Sequence, residues 1–273
     1  MNILHAAVLG ALQGFTEVLP VSSSAHLILI PWLLRWPGSG ITFDVALHLG
    51  TFLAMMVYFR RDIRDMAVSA VDAAVNRSLD TPARRLPWLI IAATVPAAVI
   101  GKLFEDRIEE AFRSNQLLIA AVLIFFGIVL GIADKAGRRQ LTLAAVTPAR
   151  AMTVGLLQCL ALIPGVSRSG ITITAGLMLG FTREDSARFS FLLSLPIVAG
   201  AALLKTVHLV RHGIPPGEGL PLLVGIAVSA VTGYISVAFL LRFVQKRSIT
   251  PFVWYRTILG GAVIAAILSG FQG

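Results

Sequence analysis

The chain has 273 residues, 56% of them hydrophobic and only 14% charged, and its mean hydropathy is +0.83. A water-facing surface needs roughly 25% charged residues, so this composition excludes a soluble globular domain and indicates a polytopic membrane protein. The net charge of +9 would suggest a nucleic-acid partner in a soluble chain; here the basic residues fall in short loops between apolar segments, where lipid headgroups and insertion topology account for them, and no nucleic acid is expected.

In chain order, segments of about 20 apolar residues, the length of a membrane crossing, are predicted as helices at roughly 41–59, 87–103, 116–133, 186–207, 220–241 and 251–270. Two further apolar stretches, about 1–34 and 151–181, are interrupted by Pro, Gly and Ser and are predicted to be re-entrant hairpins. Irregular backbone at membrane depth is tolerated only inside protein or beside a water-filled cavity. The 60–86 segment mixes Arg with Asp62, Asp65, Asp72 and Asp80 and is predicted to be an amphipathic interfacial helix. The 104–115 and 208–219 segments are predicted to be connections. The single cysteine, Cys159, excludes an intrachain disulfide and is expected to pack. No basic stretch precedes the first apolar run, so no cleavable signal peptide is expected.

Basic residues cluster in three loops: Arg60 to Arg85, Lys135 to Arg150, and Arg242 to Arg247. These loops are expected on the cytoplasmic side. The acidic 104–115 segment suits the other face. Traced through, the first hairpin enters and leaves outside, the second enters and leaves from the cytoplasm, and both termini lie outside. The expectation is an all-α integral membrane protein, one membrane domain over 1–273, with six transmembrane helices plus two re-entrant helical hairpins. Repeat 1 (about 1–133) and repeat 2 (about 151–270) would form an inverted-topology pair.

The two polar interruptions resemble each other. The first is Gln13-Gly-Phe-Thr-Glu17-Val-Leu-Pro-Val-Ser22-Ser-Ser-Ala-His26; the second is Gln158-Cys-Leu-Ala-Leu-Ile-Pro-Gly-Val-Ser167-Arg-Ser-Gly170. A shift of 145 positions superposes Gly10 on Gly155, Gln13 on Gln158, Val21 on Val166, Ser22 on Ser167 and Ser24 on Ser169. A duplicated polar break marks a site at a repeat interface.

Ionisable groups at membrane depth are costly and ask for a reason. Glu17 is the only acid in the first 43 residues, and Arg168 the only charge between Arg150 and Arg183. If the hairpins meet, the two come together, either as a lock on the tips or as part of a site. The hydroxyls of Thr16, Ser22, Ser23, Ser24, Ser167, Ser169, Thr172 and Thr174 exceed what a lock requires. With Gly165, Gly170 and Arg168 they suit an oxyanion cradle: glycines admit backbone N–H groups, and the guanidinium fork matches phosphate oxygens. His26, close in sequence to Glu17, Ser22 and Ser23, is a candidate catalyst. Gln13 and Glu17, four apart, share a helix face, and Glu17 could hold a divalent cation with Gln13 adding a neutral oxygen. Asp44 and His48, also four apart, are either a helix-end cap or a supporting pair.

The runs 13–26 and 164–172 resemble the two signature motifs of bacterial undecaprenyl-diphosphatases of the bacitracin-resistance type, and the similarity extends through 43–51 and 58–62. That resemblance implies hydrolysis of undecaprenyl diphosphate to the monophosphate and inorganic phosphate, in the bacterial inner membrane. It also implies carrier-lipid recycling for peptidoglycan, and resistance to bacitracin, which sequesters the substrate. A divalent cation, Mg2+ or Ca2+, is implied, and a homodimer is compatible with it. The acidic motif of the family falls on Gln13 and Glu17, with Gln replacing one of two carboxylates. Its serine and histidine positions fall on Ser22, Ser23 and His26, and its phosphate-binding motif on Ser167, Arg168, Ser169 and Thr172. Ser24 and Gly170 complete the expected headgroup site, and Ala25 stands where the family usually has Gly. The expected nucleophile is Ser23, activated by Glu17 or His26, with direct attack by His26 as the alternative. A lipid-phosphate transporter shares inverted repeats and a midplane anion site and is the competing function.

Overall fold

The computed structural model describes residues 2–36, 41–212 and 217–271; of residues 41, 42, 45, 105, 106, 109, 113 and 204–212 it describes the backbone alone. Among the described residues the only regular elements are helices: α1 (Ile3–Val18), α2 (Ser23–Leu34), α3 (Ile41–Tyr58), α4 (Arg60–Val75), α5 (Pro82–Arg113), α6 (Gln116–Ala136), α7 (Pro148–Gln158), α8 (Arg168–Met178), α9 (Arg183–His212), α10 (Gly219–Lys246) and α11 (Thr250–Leu268), plus two short 3₁₀ turns. Among the described residues five helical stretches are long and apolar enough to cross a membrane: Pro82–Phe104, Gln116–Ala136, Arg183–Leu203, Gly219–Lys246 and Thr250–Leu268. The predicted span at 41–59 falls on α3, whose described apolar part is Ala46–Tyr58. Helix α6 is apolar on both faces: it buries Ile119, Leu123 and Leu130 and exposes Phe125, Ile128 and Ile132. That pattern suits a helix packed on one side and bathed in lipid on the other.

Two pairs of shorter helices double back. Residues 19–22 separate α1 from α2, and the ring of His5, at the start of α1, stacks on Trp36, just past α2, with centroids 4.2 Å apart. The open end of this pair therefore lies at one end of the bundle. In the second pair the Leu141 N–H donates to the Gly180 carbonyl (2.9 Å) and the Thr182 N–H to the Leu141 carbonyl (2.9 Å). These bonds tie the chain entering α7 to the chain leaving α8. The two open ends lie apart along α11. Its start meets Asp134, which accepts from the Ile249 N–H at 3.3 Å and pairs with Arg183 at 2.5 Å. Its far end brings Phe271 against Trp32 and Arg35. Nineteen helical residues separate these ends by about 28 Å.

Glycines set the closest helix contacts. A Cβ on Gly10 would run into the Gly225 backbone, and one on Gly155 into that of Ala93. The equivalent glycines of the two pairs thus seat α1 on α10 and α7 on α5.

The structure differs from the sequence expectation at 104–115. That segment is no loop: α5 runs on to Arg113, because Glu, Ala and Arg are strong helix formers and no Gly or Pro intervenes. The side chains of Glu105, Asp106, Glu109 and Arg113 lie outside the described residues. The 60–86 segment, expected as one amphipathic helix, holds α4 to Val75, a turn, and the start of α5 at Pro82, with α4 docked on α5. Arg188 of α9 pairs with Asp62 of α4. Of the 208–219 connection, 213–216 lie outside the described residues and α9 reaches His212.

Candidate active site

Each doubled-back pair breaks at a proline. The residue before proline is driven to extended backbone, and Leu19 (ψ 145°) before Pro20 and Ile163 (ψ 119°) before Pro164 both comply. The next helix restarts from a serine with positive φ, Ser22 at 77° and Ser167 at 74°. Such a conformation costs a non-glycine residue of order 1–3 kcal/mol and persists only where its surroundings enforce it. Both serines cap their helices: the Ser22 hydroxyl accepts from the Ala25 N–H (3.4 Å), the Ser167 hydroxyl from the Gly170 N–H (3.1 Å). Both also lie 3.2 Å from the next-but-one hydroxyl, Ser24 and Ser169. The two tips are therefore one structure made twice, each presenting a helix N-terminus.

The tips touch. The Ser169 hydroxyl donates to the Leu19 carbonyl at 3.1 Å. Arg256, fully buried on α11, donates to the Pro20 carbonyl of the first tip (3.2 Å) and to the Gly165 and Val166 carbonyls of the second (2.8 and 3.1 Å). It also donates to the Leu123 carbonyl at 2.9 Å. One guanidinium thus fastens both breaks by backbone groups that have no helical partner.

Beside this junction lies a cavity of about 250 Å³. Its polar wall comprises Thr16, Glu17, Ser23, Ser24 and His48 from the first half and Gln158, Ser167 and Arg168 from the second. Its apolar wall is Ala97 of α5, Ala161 and Leu162, and Ile197, Val198, Ala201 and Ala202 of α9. Glu17 is the hub. One carboxylate oxygen accepts from Arg168 at 2.5 Å; the other accepts from the Ser23 hydroxyl (2.5 Å) and the Gln13 amide (3.1 Å) and lies 3.4 Å from His48 Nε2. His48 Nδ1 bonds the Asp44 backbone carbonyl at 2.8 Å. A carbonyl only accepts, so Nδ1 carries a proton, and Nε2 can donate to Glu17 only when the ring is the imidazolium.

Of the residues singled out in the sequence, Thr16, Glu17, Ser23, Ser24, His48, Ser167 and Arg168 line this cavity. Ser22, Ser169 and Gly170 instead form the capping networks behind it. Thr172 bonds the Arg168 carbonyl (2.7 Å) and Ser190 (2.6 Å), bracing α8 from its rear. Gln13 is fully buried behind Glu17. Asp44 is buried beside the turn that holds His48. His26 is not brought to Glu17. Its Nδ1–H donates to the Ser22 carbonyl (2.7 Å) and its Nε2 accepts from the Tyr255 hydroxyl (2.7 Å), with the two rings stacked. Both nitrogens are engaged, and the ring is fully buried away from the cavity lining. His48 occupies the place beside the carboxylate that sequence proximity gave to His26.

Arg256 escaped the sequence argument, although the rule applied to Arg168 covers it: a lone arginine well inside an apolar helix needs a partner. Gln158, matched to Gln13 in the repeat but given no role, also lines the cavity.

Among the described residues no three His, Cys, Asp or Glu side chains gather as a metal site. Glu17 offers one carboxylate, already ringed by donors. The unpartnered Gln13 oxygen is sealed off behind it. This donor set does not fit a resident cation. It fits one that takes most of its ligands from substrate phosphate oxygens and water and meets the protein through a single carboxylate, as Mg2+ commonly does.

The family model for the bacitracin resistance protein BacA matches residues 6–262. The chain belongs to that family. It is similar to the undecaprenyl-diphosphatase of Pelobacter propionicus, with 72% identity over 273 residues and all of both chains covered. The undecaprenyl-diphosphatase of Geobacter metallireducens is 62% identical over 269 residues, covering 98% of this chain and all of the relative. That of Moorella thermoacetica is 48% identical over 265 residues, covering 97% and 98%. The BacA match spans both tips, the cavity between them, and Arg256.

Proposed function

We propose that this protein is a membrane-embedded phosphatase that hydrolyses undecaprenyl diphosphate to undecaprenyl phosphate and inorganic phosphate. The single observation that carries the chemistry is the hydrogen bond from Ser23 to Glu17 at a carboxylate also held by Arg168. The full-length relatives, named undecaprenyl-diphosphatases, support the substrate. The cavity is far too small for a polyprenyl chain, so the chain leaves past the apolar wall between α5 and α9 into lipid.

Six crossings and two re-entrant pairs in an inverted repeat, 1–133 and 151–270 within one membrane domain, account best for the two open ends at opposite ends of α11. Basic loops then face the cytoplasm and both termini the outside of the inner membrane. The activity would recycle the carrier lipid for wall synthesis, and it would oppose bacitracin by depleting the diphosphate that the antibiotic binds.

In the mechanism we infer, the N-termini of α2 and α8 and the free N–H groups of Arg168 hold the phosphate oxygens. Ser23 Oγ attacks the terminal phosphorus in line, Glu17 takes its proton, and undecaprenyl phosphate leaves. Water then attacks the phosphoseryl phosphorus as the Ser23 Oγ–P bond breaks; both of its protons stay on the released phosphate, and Glu17 returns the first proton to Ser23 Oγ. His48 holds Glu17 in position from α3. Gln13 orients the same carboxylate. A divalent cation arriving on the diphosphate, held through Glu17, would supply neutralisation of phosphate charge.

Phosphate release by purified protein in detergent tests the proposal, because transport cannot occur there. Wild type should release phosphate, and Glu17→Ala and Arg168→Ala should each lower kcat/KM by about 10²–10³ or more. A folded wild type that releases none would leave only transport. Acid-stable label on Ser23 after a quench supports the serine route, whereas acid-labile label would move the nucleophile to a histidine, His26 or the cavity-lining His48.

A further inference from the structure

Gln158 ends α7 and is 2% exposed, yet neither its amide nitrogen nor its amide oxygen has a hydrogen-bond partner. It lines the cavity next to Arg168. Its repeat mate explains the vacancy. Gln13 donates to Glu17, one helical turn on. The residue one turn on from Gln158 is Leu162, and the helix has given way there to a 3₁₀ turn, Cys159–Leu162. The second repeat retains the amide and lacks the carboxylate that would satisfy it. A buried amide without partners is unfavourable, and native structures contain few of them. Gln158 borders a cavity already lined by an arginine and a helix N-terminus, with both amide atoms turned off its surface, so a rotation of this side chain would bring its N–H₂ group to an occupant there, an anion rich in acceptor oxygens.

We infer that Gln158 is a substrate-contacting residue whose N–H₂ group donates to a phosphate oxygen of the bound diphosphate. The inference rests on the phosphatase reading above. A neutral donor suits this position. Glu17 repels phosphate oxygens on the first-tip side, and Arg168 already supplies the positive charge. Gln158 therefore draws the headgroup toward the second tip without adding a charge that would compete with Arg168 for Glu17. Its Oε1 remains an acceptor for a water or a protonated phosphate oxygen.

The test compares wild type, Gln158→Leu and Gln158→Glu as full-length protein in detergent, with inorganic diphosphate as the binding probe. In Gln158→Leu, kcat/KM for a polyprenyl diphosphate should fall about 10–100-fold, the size of a lost hydrogen bond to a charged group. Its melting temperature should rise by about 2–4 °C, because the unpartnered amide is gone. Inorganic diphosphate should stabilise wild type more than Gln158→Leu. In Gln158→Glu, KM should rise further, since a second carboxylate faces the anion. Unchanged kcat/KM in Gln158→Leu overturns the assignment. A lowered melting temperature with unaltered response to inorganic diphosphate overturns it too, by giving Gln158 a structural role. If wild type itself releases no phosphate, the phosphatase reading fails, and the inorganic diphosphate comparison still decides whether Gln158 grips the anion.

Discussion

The first tip and the second share a backbone and differ in the side chains placed on it. Both have a proline break, a positive-φ serine cap and a pair of hydroxyls 3.2 Å apart. At the first residue of the following helix, however, the first tip carries Ser23 and the second Arg168. The same 145-residue shift sets Glu17 against Leu162 and His26 against Ile171. Duplication supplies the shape, two helix N-termini converging on one cavity, and divergence supplies the chemistry. One tip offers a hydroxyl bonded to a carboxylate; the other offers a guanidinium and an unsatisfied amide. A symmetric pair of serines or of arginines would bind an anion but could not both attack and stabilise it.

That division of labour can be broken most severely at Ser23. Ser23→Ala should leave the fold intact and lower kcat by roughly 10⁴–10⁶, as expected for loss of a nucleophile; steady-state phosphate release measures it, and a loss under tenfold would remove Ser23 from the reaction. Next in size is the clamp shared by both tips. Arg256→Leu leaves the Pro20, Leu123, Gly165 and Val166 carbonyls without their donor. It should destabilise the protein by about 3–5 kcal/mol, read as a lower midpoint in denaturant titrations in detergent. The symmetric glycines sharpen the comparison. Gly10→Ala and Gly155→Ala should each cost about 1–3 kcal/mol by forcing helices apart, and a large cost at one position with none at the other would separate the two halves mechanically. The smallest effect is expected at Tyr255→Phe, which removes one hydrogen bond to His26. About 0.5–1.5 kcal/mol of stability should be lost, with phosphate release within a few-fold of wild type. A loss comparable to that of Ser23→Ala would place His26 in the chemistry after all.

Much of this was legible in the sequence because membrane depth makes polarity expensive. Glu17, Arg168 and the serine runs stood out against apolar surroundings, and their pairing follows from the duplicated breaks. His26 shows where such reasoning stops. It lies three residues from Ser23 in the chain, but on α2 its ring turns back to the Ser22 carbonyl and across to Tyr255. His48 reaches Glu17 from α3, a helix packed on α1, and only tertiary packing puts it there. The acid-rich end of α5 has the charge of a loop but the propensity of a helix, and propensity prevails there. Arg256 was hidden by the length of the apolar helix around it.

The contact between the tips is tested most directly by chemical cross-linking. In a Cys159→Ala background, Leu19→Cys and Ser169→Cys place thiols on the two breaks where the Ser169 hydroxyl now meets the Leu19 carbonyl. In native membranes a short bifunctional thiol reagent should join them within one chain and abolish phosphate release. Free thiols on both residues after treatment, in protein that still releases phosphate, would contradict the meeting of the tips on which the site depends.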